Sequence, residues 1–207
     1  MKKVLYIILH TKKHESRFTN LVNTWLQGQD YVFYSDHEDL DNNIIKVTDD
    51  DSYHSNEPKF VSVVNNLPEK YLNYEWYFFV DNDTFVNTKK LISVLDSLDP
   101  KVLHGQKIYS WPRDKSMPYL SGGAGILVHH TMYPHMRENF KNYSTGYSDV
   151  SLGCYMKEYG IECVDDGLFW SQPPIFWRIN MPEIIHHISF HYIKEYDQMV
   201  EMYNICK

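Results

Sequence analysis

Cysteine is scarce in this chain: three in 207 residues, Cys154, Cys163 and Cys206. An odd count with no Cys-x-x-Cys pair excludes a disulfide scaffold and a zinc site of the usual spacing, and points to reducing surroundings. Membrane-length apolar runs are also lacking. The stretch 4–9 follows two lysines, is too short to cross a bilayer and has no small-residue cleavage site, so it reads as a first strand. Positive charge is in deficit, with 20 Lys and Arg against 27 Asp and Glu. A net charge of -7 leaves no basic stripe to displace counterions, which argues against a nucleic-acid partner and makes a metal the natural means of holding a phosphorylated ligand. What is present, 43% hydrophobic and 23% charged residues, is the makeup of a globular protein long enough for one domain over 1–207.

The chain is organised around Trp76-Tyr77-Phe78-Phe79-Val80-Asp81-Asn82-Asp83-Thr84-Phe85. Five large apolar residues ending in two carboxylates read as a buried strand that stops in charge. Such strands belong to mostly parallel sheets, where ligands bind beyond the carboxyl ends. In extended backbone, residues i and i+2 point the same way, so Asp81 and Asp83 converge on one cation while Asn82 faces elsewhere. Oxygen ligands suit Mg²⁺ or Mn²⁺. Asp-x-Asp also occurs at Asp39/Asp41 and Asp49/Asp51, in polar stretches read as solvated turns. The plain alternative for Asp81/Asp83 is a pair capping the following helix.

In chain order, Phe18, Leu21, Val22, Trp25 and Leu26 mark one face of a helix ending at Gly28. Strands follow at 31–34 and 44–47, then a helix from Glu57-Pro58 carrying Phe60, Val63, Val64 and Leu67 inward. After the organising strand, Asn87 or Thr88 caps a helix that Asp99-Pro100 stops. This alternation is α/β. The second half is less regular: an edge or adjoining strand at 102–104, a surface excursion over 109–118, and Ser121-Gly122-Gly123-Ala124-Gly125, where backbone passes close to a ligand or forms a turn with a bulge. A helix begins near Ser148 and Asp149, either of which serves as its N-cap in the plain account. A strand at 161–164, a loop at 169–174 and a strand at 186–192 with His187 and His191 on one face complete the chain. Sequons fall at Asn82 and Asn142; a glycan on Asn82 would block the site, so catalysis there fits a cytoplasmic location.

Taken together, Thr11-Lys12-Lys13-His14 with Arg17, Asn23-Thr24-Trp25, Phe33-Tyr34-Ser35-Asp36, Lys59, the Asp-Asn-Asp, 121–125, Ser148-Asp149-Val150-Ser151-Leu152-Gly153 and Ser189-Phe190-His191-Tyr192 resemble the fringe and core-1 β1,3-galactosyltransferase group of GT-A glycosyltransferases. A more distant likeness is to a glycosyltransferase domain of a chlorovirus, a large algal DNA virus. The resemblance implies a GT-A fold with a nucleotide-sugar and metal half over 1–105 and an acceptor half over 106–207. It implies a metal-dependent enzyme that moves a sugar from a nucleotide-sugar, a UDP-sugar foremost, to a glycan or glycoprotein hydroxyl with inversion.

By the same resemblance, Mn²⁺ (or Mg²⁺) is held by Asp83 and His191 with Asp81 beside them. Thr11, Lys12, Arg17, Asp36, Lys59, Asp81, Asn82, Gly122 and Gly123 take the donor, Asp149 is the base, and Trp111, Trp170 and Trp177 stack the acceptor. Asn82 departs from the family's central carboxylate, the secretory members' anchor and disulfide cysteines are missing, and 107–118 matches least. Two other readings stay open: a non-catalytic sugar-binding module of the same fold, and a haloacid-dehalogenase-type phosphatase, which wants a small residue where Phe85 stands.

Overall fold

The computed structural model describes residues 2–109 and 117–207. In chain order its elements are β1 (Lys2–Leu9), α1 (Glu15–Val22), β2 (Tyr31–Ser35), β3 (Ile44–Lys46), α2 (Asn56–Asn66), β4 (Tyr74–Asp81), β5 (Phe85–Val86) and α3 (Thr88–Val94). There follow β6 (Leu103–His104), β7 (Lys107–Ile108), β8 (Tyr119–Leu120), β9 (Ile126–His129), α4 (Tyr133–Asn139), α5 (Ser148–Tyr159), β10 (Cys163–Val164), β11 (Phe169–Trp170), β12 (Ser189–Phe190) and α6 (Tyr196–Cys206).

A seven-stranded sheet runs β10-β6-β9-β4-β1-β2-β3. The organising strand β4 pairs parallel with β1, which pairs parallel with β2, and β2 with β3. Only β9 runs against its neighbours, β4 and β6. The sheet is buried on both faces, which is why β1 and β4 read as continuous apolar runs. Alternate residues serve opposite layers. Tyr6, Ile8, Trp76, Phe78 and Val80 pack with Leu21, Trp25, Phe85 and Met199 on one side; Leu5, Ile7, Tyr77 and Phe79 pack with Phe60, Val64, Tyr133 and Tyr155 on the other. Truncating a residue as fully enclosed as Trp25, 1% exposed, costs about 3–5 kcal/mol.

Several expectations are corrected. The first helix stops at Val22 rather than Gly28. The Thr24 hydroxyl bonds back to Asn20 O, and the Trp25 indole N–H reaches Thr84 O at 3.1 Å, so the chain turns inward while Trp25 and Leu26 stay buried. Of the two places open to the strand at 102–104, it takes the adjoining one, between β10 and β9, and not the edge. The loop at 169–174 begins as β11, which pairs with β12, and β12 with β5, in a second sheet. The long strand at 186–192 shrinks to β12, because the Asn180/Glu183 capping box and Pro182 wind 181–186 into a helical turn. Neither Ser148 nor Asp149 caps α5; Tyr147 holds the N-cap position.

Candidate active site

Leu9 lies level with Tyr34 on one side and Asp81 on the other. The residues that leave β1, β2 and β4 therefore emerge together at the carboxyl edge of the parallel strands, where ligands bind in such sheets. Asp81 closes β4, but Asp83 lies in a turn that the Thr84 N–H closes onto Asp81 O at 3.2 Å. The two carboxylates meet because the chain folds back, and not through the alternation of an extended strand. Nor do they cap α3: the Asn87 side chain does so, accepting from the Lys90 N–H at 3.1 Å.

Asn82 turns away from the carboxylates and is 6% exposed. Its Oδ1 accepts from Arg17 Nη1 at 3.0 Å, and its Nδ2 lies 3.0 Å from His10 Nδ1. Arg17 Nη1 is also 3.4 Å from Asp83 Oδ2. From the far end of the chain His191 comes in, its Nε2 3.0 Å from Asp83 Oδ1 and 3.6 Å from Asp81 Oδ2. One ligand atom from each of Asp81, Asp83 and His191 lies within 4.8 Å of the others. Two carboxylate oxygens and an imidazole nitrogen fit Mn²⁺, and the oxygens fit Mg²⁺.

Burial pushes the Asp81 carboxyl up to about 6, with Asp83 and Asp149 adding to the rise and His191 opposing it. Burial works the same way on Asp83 but is outweighed by the His191 hydrogen bond and Arg17, so that carboxyl is lowered. The same two carboxylates overcome the burial of His191 and raise its pKa.

The glycine turn supports this group from below. A Cβ on Gly123 would lie 2.1 Å from His191 Nδ1, so only glycine lets the imidazole rest there. The Thr84 hydroxyl donates to Gly123 O at 2.8 Å, and the Ser189 hydroxyl to Ala124 O. The Asp-Asn-Asp turn, the glycine turn and β12 are thus tied together. His191 N–H bonds Trp170 O at 3.0 Å, and the His191 ring stacks on Tyr192, whose φ of 60° is unusual for a tyrosine.

Two hollows flank this centre and share Tyr53, Asn56, Asp81, His191 and Tyr192. The first also has Thr11, Arg17, Lys59, Asn82 and Asp83, with Lys13, His14 and Lys194. Lys59 is 1% exposed and donates to His10 O at 3.1 Å. Burial lowers its pKa, against the pull of Asp36 3.9 Å away. Lys12 and Asp36 do not line the hollow: Lys12 gives its backbone N–H to Asp36 Oδ1 at 2.9 Å. Burial would raise Asp36, but that bond and neighbouring ones hold it lowered.

The second hollow has Asp149 with Gly122, Gly123, Ser121, Ser148, Ser171, Gln172, Tyr119 and Tyr147. Asp149 Oδ1 accepts from the Val150 N–H at 2.8 Å and Oδ2 from the Gly122 N–H at 3.5 Å. Burial raises its pKa, more than those hydrogen bonds lower it.

The acceptor tryptophans fare differently from the rest. Trp170 and Trp177 line neither hollow; the Trp170 indole N–H is spent on His187 Nδ1 at 2.9 Å, and its ring packs on Trp177. Trp111 lies outside the described residues. The aromatics beside Asp149 are instead Tyr53, Tyr119, Tyr147 and Tyr192, which sequence reasoning passed over along with Asn56 and Lys194. Tyr53 and Asn56 stand six and three residues before Lys59, at the start of its helix, and Lys194 follows His191 by three; nearness to motif residues was the only signal.

The fold is that of the GT-A glycosyltransferases. The chain belongs to the Fringe-like family, whose model matches residues 2–206, which removes the phosphatase reading. Chondroitin sulfate synthase 3 of Homo sapiens is 27% identical over 164 residues, 72% of this chain and 17% of that protein, and its Mus musculus counterpart is 26% identical over the same length. The chain thus spans about a sixth of those relatives. In fold it is similar to a glycosyltransferase involved in glycosylation of the major capsid of PBCV-1, with TM-score 0.60, 14% identity and coverage of 97% of this chain and 98% of that one. It is also similar to the galactosyltransferase LgtC, solved with donor and acceptor sugar analogues, with TM-score 0.56, 9% identity and coverage of 97% and 95%.

Proposed function

We propose that residues 1–207 form one GT-A unit that transfers a sugar from a UDP-sugar to a hydroxyl of a glycan or glycoprotein, with inversion and with a divalent metal. The observation that carries this is the meeting of a cation-lined hollow and a hollow holding the half-buried Asp149 carboxylate at Asp81 and His191. The nucleotide lies in the first, against Thr11, Lys59 and the Asn82-anchored Arg17. All of these come from 1–105, while 106–207 supplies Gly122, Gly123, Asp149 and His191.

Asp81, Asp83 and His191 would hold Mn²⁺ or Mg²⁺. Such an ion would supply positive charge against the departing diphosphate. Arg17, Lys13 and Lys194 add positive charge at the same place. The transferred sugar lies over the backbone of Gly122 and Gly123, which line the second hollow beside Asp149. Asp149 accepts the proton of the acceptor hydroxyl as its oxygen attacks the anomeric carbon from the face opposite the leaving group. A glycan or glycoprotein acceptor accords with relatives named for chondroitin sulfate synthesis and capsid glycosylation. No described helix is long and apolar enough to cross a membrane. A cytoplasmic setting is supported by Asn82, whose amide is buried between Arg17 and His10 and leaves no room for a glycan.

Calorimetric titration with a panel of UDP- and GDP-sugars, each with Mn²⁺ and with chelator, tests the donor site. Metal-dependent binding of a UDP-sugar is expected; no binding to the folded protein overturns the reading in favour of a non-catalytic module.

A further inference from the structure

One buried carboxylate faces neither hollow yet holds the loop that leads to Asp149. Glu57, in the first turn of α2, is 3% exposed. Its Oε1 accepts from the Tyr143 N–H at 3.1 Å, the Thr145 N–H at 3.4 Å and the Ser151 hydroxyl; its Oε2 accepts from the Gly146 N–H at 2.6 Å. Positive φ at Ser144 (57°) and Gly146 (78°) bends the backbone so that these N–H groups face one point, an anion-binding nest closed on a side chain of the same protein. A carboxylate buried without such donors would be strongly disfavoured.

Asp149 lies between two of the clamped residues, Gly146 and Ser151. The Thr145 hydroxyl donates to Tyr147 O at 2.8 Å and lies 2.9 Å from Ser151 Oγ, while the Ser151 N–H bonds Tyr147 O at 3.0 Å. The stretch 143–151 is therefore a rigid bracket whose foot is Glu57. The next residues of the same helix reach the donor side: Asn56 lines both hollows and Lys59 lines the first.

We propose that Glu57 is a positioning residue, fixing the 143–146 loop and through it aiming Asp149 at the acceptor oxygen. This rests on the reading of Asp149 as the base. A misplacement of about 1 Å at a reacting group costs on the order of 10²-fold in rate, and no other side chain among the described residues ties 143, 145, 146 and 151 at once.

Glu57→Gln tests it, since an amide puts N–H donors where every neighbour donates. Release of UDP from UDP-galactose, UDP-glucose and UDP-N-acetylglucosamine with Mn²⁺ is measured beside melting temperature. A roughly 10- to 100-fold loss of kcat is expected at unchanged KM. The Val150 amide, bonded to the Asp149 carboxylate, gives a readout that needs no turnover: its ¹⁵N resonance follows Asp149 ionisation, in a setting where Asp81, His191, Tyr119 and Tyr192 also face or adjoin that carboxylate. Its pH midpoint is expected to move in Glu57→Gln.

Wild-type kcat with an unmoved midpoint, or a lowered melting temperature with kcat intact well below it, overturns the proposal. Asp149→Asn separates the two levels: if it still releases UDP at the wild-type rate, the base reading itself falls, whereas an inactive Asp149→Asn beside a fully active Glu57→Gln removes only the positioning role. Should Glu57→Gln not fold, Ser151→Ala removes one of the four donors, and about a threefold or greater fall in kcat at unchanged KM is expected; an unchanged kcat and midpoint overturn the proposal.

Discussion

The two hollows differ in what they offer a ligand, although they share a wall. The first is lined by Lys13, Arg17, Lys59 and Lys194, with His14. No Lys, Arg or His besides the shared His191 lines the second, where hydroxyls, two amides and four tyrosines surround Asp149, with Asp81 on the shared wall. In a protein of net charge -7, that concentration of cations on one side is an arrangement for a polyanion. The other side suits a neutral, hydroxyl-rich molecule that must lose a proton. On the proposed reading, the contrast sorts donor and acceptor by charge, with Asp81 and His191 at the boundary.

The sharpest way to break this comparison is Asp149→Asn. Transfer is expected to fall by about 10²–10⁴-fold, the usual worth of a general base, while calorimetry shows donor binding near wild type. Next, Asp83→Ala and His191→Ala act on the boundary. Each is expected to weaken Mn²⁺-dependent donor binding by roughly 10- to 100-fold, as for loss of a contact to a charged group, and unchanged titration curves for both would remove the metal site. Gly123→Ala reaches the same point indirectly: its Cβ would lie 2.1 Å from His191 Nδ1, an overpacking cost of about 1–3 kcal/mol that displaces the imidazole. Weaker Mn²⁺ binding with little change in acceptor KM is the outcome to measure.

The pH profile sharpens the acceptor side. Burial raises the Asp149 carboxyl, and a base works only when deprotonated, so activity is lost as pH falls through that raised value. The acid limb of kcat/KM should therefore lie above the ordinary aspartate value of about 3.9; a limb at or below that value would count against Asp149. Smallest of all, Lys194→Ala should weaken UDP-sugar binding only a few-fold, and the difference should shrink as salt is added, because the group lies at an exposed mouth.

Parts of this were legible in the residues. The run Trp76 to Val80 has five large apolar side chains because both sheet faces are covered, and the same holds for β1; a local pattern sufficed. The Asn87 cap and the inward face of α2 were readable for the same reason. The Trp25 segment was misread because its shape follows from a distant partner, Thr84 O for the indole, and the strand at 186–192 was drawn too long because the capping box and Pro182 just before it were passed over. The aromatic acceptor wall was sought in tryptophans, yet in chain position nothing distinguishes Tyr119 or Tyr147 from thirteen other tyrosines outside the second hollow.

By itself, then, the sequence determined the alternating α/β order, the buried central strand and the carboxylates at its end, since hydrophobic periodicity and turn residues act over a few positions. Tertiary structure alone decided that Asn82 would bond Arg17 and His10, that His191 would rest on Gly123 between Asp81 and Asp83, and that Glu57 would gather the loop before Asp149. Those contacts join segments far apart in the chain. They are fixed by strand register and by the burial of polar groups that must find partners, and neither is written in the neighbourhood of any one residue.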